Sequence, residues 1–241
     1  MKKVAAFDCD GTLIRGDATR RFLLECRGIL GVAEDLLRSI PLIIAWRLGR
    51  CSTADFKQAL LDRCLQATSP IRRKAALESL STRLVAQLRP QALARLRFHQ
   101  QQGDCCLIVS ASPEPLLSSL ALHLGVGLIA TGCTDPLLVS PNKPLRLTTP
   151  NCKGPEKLRR LEQHLGVLPP PHSLEAYGDS KGDRELLLAS GAPHWRSFAE
   201  MPVPYQASDW SRWLLPCVAI TLLMVALSGL IRLDQIGRAH V

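Results

Sequence analysis

The sequence has few aromatic residues, 5 % of the total, and no Cys-x-x-Cys pair among its nine cysteines. The missing pair excludes a zinc site of the usual spacing, and the odd count favours free thiols in a reducing compartment. Only the short apolar run Val4–Phe7 precedes Asp8, too short for the hydrophobic region of a secretory signal. Basic charge without interleaved aromatics argues against nucleic-acid binding. At 241 residues and 46 % apolar, the composition is that of a chain with a buried core.

The formal charge of +9 is confined to one part of the sequence. Residues 15–97 hold sixteen Lys and Arg against seven Asp and Glu, whereas the rest of the chain has fourteen of each. A local excess of this kind favours anionic partners, here phosphorylated substrates or an acidic membrane surface. The alternative is a solvated helical face rich in arginine.

The C-terminal part carries the longest apolar run. Residues 214–231 contain no charge and follow Trp210 and Trp213, so we expect a transmembrane helix over 210–231. With the free thiols, this predicts a membrane-anchored protein whose catalytic domain lies in the cytoplasm. The last six residues, 236–241, match the translation of a common sequencing adapter, and we expect them to be non-native.

Short apolar strands alternate with helices outside the basic segment. Strands are predicted at 3–7, 105–109, 128–131 and 173–177, with two weaker ones at 137–139 and 145–148. This alternation predicts an α/β fold with a doubly wound parallel sheet. The helical block after the first strand is too long for a crossover, so we expect a core of 1–16 and 98–207 and an inserted all-helical cap of 17–97. Residues 193–205 are predicted to be an irregular linker.

Polar side chains follow several of these strands at the edge where open α/β sheets bind ligands. The candidate residues come after three strands and on one helix, and they are Asp8, Asp10, Ser110, Lys157, Asp179 and Asp183. Each is a weak signal alone, but their order and placement together are specific. Four carboxylates brought together repel one another unless a cation intervenes. Mg²⁺ prefers such oxygen ligands, so the pattern predicts a magnesium site that binds phosphate.

This pattern resembles the haloacid dehalogenase superfamily of phosphohydrolases. It is more closely similar to subfamily IB, which contains phosphoserine phosphatase-like and phosphatidylglycerophosphatase C-like enzymes. The resemblance covers about residues 3–200 and is strongest in the four segments 7–14, 108–117, 151–161 and 177–188. It implies a doubly wound core with a helical cap inserted after the first strand, and a Mg²⁺-dependent phosphomonoester hydrolase.

The resemblance also implies roles for the acidic residues. Asp8 would be the nucleophile that forms an aspartyl-phosphate, and Asp10 would be the general acid and then the general base. Asp179 would ligate Mg²⁺ together with Asp8 and the backbone carbonyl of Asp10. Asp183 would orient the water shell of the metal.

The phosphate-binding residues implied in the same way are Ser110, Ala111, Lys157, Cys9 and Gly11. Lys157 would neutralise the phosphoryl group, and its spacing from Gly154 fits the subfamily better than that of the rival Lys153. Asp17 and Arg20 are the candidate substrate residues.

The expected substrate is a phosphorylated small molecule or a lipid phosphate. Phosphoserine phosphatases carry a glutamate where this chain has Asp17, and a glycine pair where it has Ala111-Ser112. Both departures, with the predicted anchor, favour a phospholipid such as phosphatidylglycerophosphate. The apolar segment 36–48 is either a buried face of the cap or an interfacial helix flanked by arginines.

Other interpretations stay open. The chain could hydrolyse a soluble phosphoserine-like metabolite, or it could be the phosphatase-like N-terminal domain of a UbiA-type polytopic prenyltransferase fusion. A catalytically silent scaffold is a third class, although every catalytic position is filled. The sequence does not determine the oligomeric state.

Overall fold

A single parallel sheet lies at the centre of the computed structural model, which describes residues 2–198. Its strands lie in the order β3-β2-β1-β4-β5, and every neighbouring pair is parallel. The strands are β1 (Val4–Phe7), β2 (Cys105–Pro113), β3 (Gly127–Thr131), β4 (Leu174–Gly178) and β5 (Ala192–Trp195). The expectation of an α/β fold with a parallel sheet is therefore confirmed.

Eight α-helices within residues 2–198 surround or extend from this sheet. They are α1 (Ala18–Arg38), α2 (Ile40–Arg47), α3 (Thr53–Gln66), α4 (Pro70–Ala86), α5 (Pro90–Gln101), α6 (Glu114–Leu124), α7 (Pro155–Leu165) and α8 (Arg184–Ala189). Several begin where the sequence provides caps. Ser52 forms a capping box with Asp55 at the start of α3, and proline occupies the first turn of α4, α5 and α7.

The sheet is buried on both faces because alternate residues of each strand point in opposite directions. Ala5 and Phe7 of β1 contribute to the hydrophobic cluster that includes α5 and α6, whereas Ala6 contributes to the cluster that includes α7 and α8. The strand β1 thus lies in the middle of a three-layer arrangement, and its last residue leads straight to Asp8.

Helices α1, α3 and α4 come between β1 and β2 in the sequence. Both α3 and α4 pack on α1, and the apolar residues of all three join the hydrophobic cluster that includes α5 and α6. Arg73 of α4 is buried and donates hydrogen bonds to the carbonyl oxygens of Pro136 and Val139, at 3.0 and 2.7 Å. The inserted helices are therefore held to the loop that follows β3.

Two local predictions were wrong. Residues 137–139 and 145–148 are not strands: a 3₁₀ helix covers Pro136–Leu138, capped by the side chain of Asp135. The backbone N–H of Leu145 instead donates to the side chain of Asp62 in α3. In addition, the predicted linker begins with β5, where Pro193 is tolerated because an edge strand needs hydrogen bonds on one side only.

No helix within residues 2–198 is both long and apolar enough to cross a membrane. The predicted transmembrane helix at 210–231, the six residues 236–241 and the last part of the predicted core, 199–207, lie outside the described residues.

Candidate active site

The carboxyl edge of the sheet opens into a cavity of about 340 Å³. It lies where the loops after β1 and β4 and the end of β2 meet helices α3 and α7. Its lining residues include Asp8, Asp10, Gly11, Asp17, Lys57, Ala111, Lys153, Lys157, Asp179, Ser180 and Asp183. The volume suits a small polar ligand or the headgroup of a larger one.

Asp8, Lys157 and Asp183 form a buried ion triad at the floor of this cavity. The ammonium group of Lys157 lies 2.6 Å from a carboxylate oxygen of Asp8, 2.6 Å from one of Asp183 and 2.6 Å from the carbonyl oxygen of Val109. Lys157 is 1 % exposed, so all its polar contacts are internal. A buried cation between two carboxylates places fixed positive charge where a phosphoryl group would gain negative charge.

The triad shifts the pKa of each of its members. Burial raises the pKa of Asp8 to about 7, even though Lys157 pulls it down. Burial alone would lower the pKa of Lys157, but the two carboxylates raise it above its ordinary value. Burial also opposes ionisation of Asp183, yet Lys157 and the hydrogen bonds from Ser180 lower the pKa of that carboxyl. A divalent cation beside Asp8 would favour its ionised form further.

Asp10 is held in one orientation by two donors. The hydroxyl of Ser112 donates to one carboxylate oxygen at 2.5 Å, and the backbone N–H of Ala18 donates to the other at 2.7 Å. Burial raises the pKa of Asp10, and the charge of Asp17 adds to this effect. A carboxyl whose pKa is raised can carry a proton to a leaving group, which is what general acid catalysis requires.

Asp179 completes a group of carboxylates with Asp8 and Asp183, whose oxygens lie within 4.8 Å of one another. Burial, and then repulsion by Asp183, raise the pKa of Asp179. A Cβ at Gly11, whose φ is +81°, would collide with the Asp179 carboxylate, so only glycine fits this turn. Three converging oxygen donors with unfavourable mutual repulsion are a donor set that fits Mg²⁺.

Asp183 differs from the other two carboxylates in this group. One of its oxygens accepts from Lys157, and the other accepts from the backbone N–H and the hydroxyl of Ser180 at 2.9 and 2.8 Å. Both oxygens already accept hydrogen bonds from protein groups. Asp183 is therefore better placed to position Lys157 and the loop after β4 than to act as a direct metal ligand.

The sequence motifs did not predict that two further residues, Lys57 and Ser112, belong to the site. Lys57 of α3 lines the cavity, and its ammonium group donates to the carbonyl oxygen of Ala111 at 2.8 Å. Burial lowers the pKa of Lys57, while Asp17 and Asp10 raise it. Ser112 is fully buried against Asp10. Their roles depend on how the inserted helices and the irregular end of β2 are placed.

The structure brings together Asp8, Asp10, Gly11, Asp17, Ala111, Lys157, Asp179 and Asp183, all predicted from the sequence. Three other predicted residues do not line the cavity. Ser110 is buried and its hydroxyl accepts from the backbone N–H of Ser112, Cys9 is buried in the core, and Arg20 is exposed on α1. Asp17 has a structural contact as well, since its side chain caps α1 at the N–H of Arg20.

Ser110 and Cys9 are displaced from the cavity for identifiable reasons. The strand β2 does not end at Val109 but continues to Pro113, with a register irregularity between Ser110 and Pro113. The residue of β2 that lines the cavity is Ala111. Cys9 lies between two cavity-facing aspartates and points to the opposite side, where burial raises the pKa of its thiol.

Comparison with known proteins agrees with this geometry. A sequence profile of the haloacid dehalogenase-like hydrolases matches residues 5–188. Protein CicA of Caulobacter vibrioides is 30 % identical over 206 residues, which cover 83 % of this chain and 88 % of CicA. A protein of unknown function from Bordetella pertussis Tohama I has a similar structure, with a TM-score of 0.62 and 25 % identity over 78 % of this chain and 87 % of that one.

The fold is also that of phosphoserine phosphatase. A substrate-bound structure of that enzyme has a TM-score of 0.54 at 15 % identity, covering 79 % of this chain and 84 % of the phosphatase. The profile match spans strands β1 to β4, the inserted helices and every carboxylate of the cavity. With its buried carboxylate–lysine site, the chain is an enzyme of the phosphatase type, and it belongs to the haloacid dehalogenase-like hydrolase family.

Proposed function

We propose that this protein hydrolyses phosphomonoesters in a Mg²⁺-dependent reaction that passes through a phosphorylated Asp8. The observation that carries the proposal is the position of Asp8. Its carboxylate lies at the floor of the cavity, 2.6 Å from the Lys157 ammonium group and beside the carboxylate of Asp179. This arrangement supports nucleophilic attack on a phosphorus atom bound above it.

The residues divide the reaction between two carboxylates. Asp8 attacks phosphorus, and the bond from phosphorus to the ester oxygen breaks while Asp10 donates its proton to that oxygen. Asp10 then takes a proton from the water that attacks the phosphorus atom of phosphorylated Asp8. The bond between phosphorus and the Asp8 oxygen breaks, inorganic phosphate leaves, and both residues return to their starting states. Lys157 holds Asp8 in place and offsets negative charge on the phosphoryl oxygens.

Mg²⁺ would be held by Asp8 and Asp179, with Asp183 fixing the surrounding loop. When bound, it would neutralise charge on the phosphoryl group and draw the anionic substrate to the anionic Asp8. We also propose the phosphoserine phosphatase-like branch of the family for this chain, on the basis of the inserted helices and the Gly154-to-Lys157 spacing.

The test is phosphate release by the full chain, with and without Mg²⁺. The panel would contain phosphoserine, sugar phosphates, phosphatidylglycerophosphate and phosphatidic acid, the lipids in mixed micelles. We expect release that depends on Mg²⁺ and is lost on chelation. Release from none of these esters, or release unaffected by chelation, would contradict the proposal.

Asp179→Asn is expected to weaken Mg²⁺ activation selectively. The substitution keeps the shape of the side chain but removes one of the charges that attract the cation. We expect the Mg²⁺ concentration for half-maximal activity to rise by about 100-fold, at the upper end of the losses seen when metal-site partners are removed. A magnesium titration measures this directly. Glu78→Gln, which removes an exposed carboxylate on α4, is the matched control, and equal effects of the two variants would argue against Asp179 as a ligand.

Lys57→Met is expected to affect substrate binding more than chemistry. Lys57 supplies positive charge at the cavity wall but does not contact Asp8. We expect KM to rise about 10-fold, equivalent to about 1.4 kcal/mol of binding, with kcat changed less than about threefold. Steady-state kinetics on the best substrate of the panel separates the two constants. Lys74→Met, on the exposed side of α4, is the control. A fall in kcat without a change in KM would assign Lys57 to the chemical step.

Beside a soluble phosphomonoester such as phosphoserine, a lipid phosphate is a second candidate substrate, with phosphatidylglycerophosphate as the example. It is favoured by exposed apolar side chains on α2, the helix next to the one that carries Lys57. A membrane anchor at 210–231, with the catalytic domain on the cytoplasmic side, belongs to this proposal and is based on the sequence alone. Preference for a soluble ester over the micellar lipids would exclude a lipid substrate while leaving the reaction intact.

A further inference from the structure

Four apolar side chains on the end of α1 and on α2 are exposed in a row. Leu37, Ile40, Ile44 and Leu48 are 67, 46, 53 and 62 % exposed. We call these four residues the apolar stripe. None of the eight residues of α2, all within the part of the chain that the structure describes, is buried. Single exposed leucines are ordinary on protein surfaces, but a contiguous apolar surface of this kind marks an interaction site.

Three of the four residues lie on the same side of α2 because their spacing is helical. Ile40, Ile44 and the C-cap residue Leu48 follow one another at four positions, which is the spacing of one helix face. Leu37 comes before Ser39, whose backbone, at φ −94° and ψ 5°, is not helical and separates α1 from α2. The buried hydroxyl of Ser39 donates to the carbonyl oxygen of Asp35 at 2.7 Å and holds this junction. The apolar stripe therefore consists of one face of α2 together with Leu37 at the end of α1.

Basic residues border the apolar stripe at both ends. Residues 36–50 include Arg38, Arg47 and Arg50, all exposed, and contain no Asp or Glu. Arg38 pairs with Glu34 at 2.8 Å, whereas the guanidinium of Arg47 lies 5.3 Å from the centre of the Trp46 ring. Apolar side chains bordered by arginines fit the boundary between the acyl chains and the headgroups of an anionic bilayer.

Helix α2, which carries most of the apolar stripe, packs on α3, the helix that carries Lys57. The Trp46 ring stacks on Phe56 of α3 with centroids 5.0 Å apart, and its indole N–H donates to Thr53 at 3.2 Å. Phe56 adjoins Lys57, which lines the cavity. A partner bound to the apolar stripe would thus lie next to the helix that forms one wall of the site.

We propose that the apolar stripe and its arginines dock this protein on the surface of an anionic lipid bilayer. Eight residues of α2 are too few to span a membrane, so the helix would lie in the plane of the interface. A second copy of the chain fits less well, because a symmetric contact would bring the arginines of both copies together. The inference does not depend on the proposed reaction, since lipid binding is measured without it.

The test is amide hydrogen exchange of the full chain mixed with lipid vesicles. We expect exchange in residues 36–50 to slow at least about fivefold with vesicles of phosphatidylcholine and phosphatidylglycerol, and to change little with phosphatidylcholine alone. Residues 114–124 of α6 provide the internal reference. Unchanged exchange in 36–50 with anionic vesicles would overturn the proposal, as would slowing that depends on protein concentration and needs no vesicles.

Variants separate docking from folding and from catalysis. Ile40→Asn with Ile44→Asn, and separately Arg47→Gln with Arg50→Gln, are expected to abolish most of the protection. Leu122→Asn, which replaces a leucine 83 % exposed on α6, is the matched control and should retain it. Hydrolysis of a soluble phosphomonoester is expected to stay unchanged in all three, so loss of activity and loss of docking can be told apart. Full protection in both double variants would show that another surface binds the lipid.

Discussion

Asp8→Asn is expected to reduce phosphate release by more than about 10⁴-fold, the scale of losing a nucleophile that acts with its partners as a unit. The amide keeps the shape of the side chain, and its oxygen can still accept from Lys157. It carries no negative charge, however, and cannot form the acyl-phosphate bond. The measurement is single-turnover phosphate release at saturating Mg²⁺. Because β1 is central in the sheet, the variant must also be checked for a native unfolding transition.

Glu78→Gln serves again as the control, because it removes an exposed carboxylate on α4 that is not among the residues lining the cavity. We expect it to retain wild-type activity. Substantial Mg²⁺-dependent turnover by Asp8→Asn would exclude a phosphorylated Asp8 and would favour direct attack by water. Trapping the phosphorylated protein with labelled substrate distinguishes the same two mechanisms in the unmodified chain.

Lys157→Met is expected to damage stability as well as activity. The substitution keeps most of the side-chain volume but leaves the buried carboxylates of Asp8 and Asp183 without their shared cation. Breaking a buried ion pair in this way costs about 3–5 kcal/mol of the free energy of unfolding. Activity should fall by about 10²–10³-fold or more, since the charge that offsets the phosphoryl oxygens is lost. Urea unfolding without divalent cations measures the first effect.

Lys153→Met is the matched control for this prediction. Lys153 lies four residues away and lines the same cavity, but its side chain is exposed. We expect its loss to change the free energy of unfolding by less than about 0.5 kcal/mol, as surface substitutions usually do. If Lys153→Met lowered the free energy of unfolding more than Lys157→Met, Lys153 and not Lys157 would be the lysine that neutralises the buried carboxylates. A Lys157 variant of unchanged stability would mean that the two carboxylates become protonated together.

Much of the sheet could be predicted from short apolar runs, because a strand buried on both faces contains few polar residues. The strand β5 could not, since Pro193 interrupts its pattern and its pairing with β4 depends on the rest of the sheet. Residues 137–139 and 145–148 satisfy a strand pattern locally. In the second of these segments, the backbone N–H of Leu145 instead donates to the side chain of Asp62 in α3, which lies 83 positions away in the sequence.

The site residues also divide into those that the sequence predicts and those that it does not. Asp8, Asp10 and Asp179 follow strands directly, so strand prediction alone places them at one edge. Lys57 and Ser112 are different, because no local pattern indicates that Ser112 reaches Asp10 or that Lys57 lines the cavity. Ser110 fits the pattern of a phosphate ligand, but it is buried and its hydroxyl accepts from the backbone N–H of Ser112 at the irregular end of β2.

The sequence by itself determined four strands of the parallel sheet and the identity of the acidic residues at its edge, because strand ends are local properties. The choice of Lys157 over Lys153 came from the resemblance to the family. Only the tertiary structure decided that Lys157 bridges Asp8 and Asp183, that Ser112 holds Asp10, and that the apolar stripe stays exposed. These contacts join residues 26–149 positions apart, or depend on which helix faces find a packing partner. Burial and distance of that kind arise when separate segments fold against one another, and no local pattern contains them.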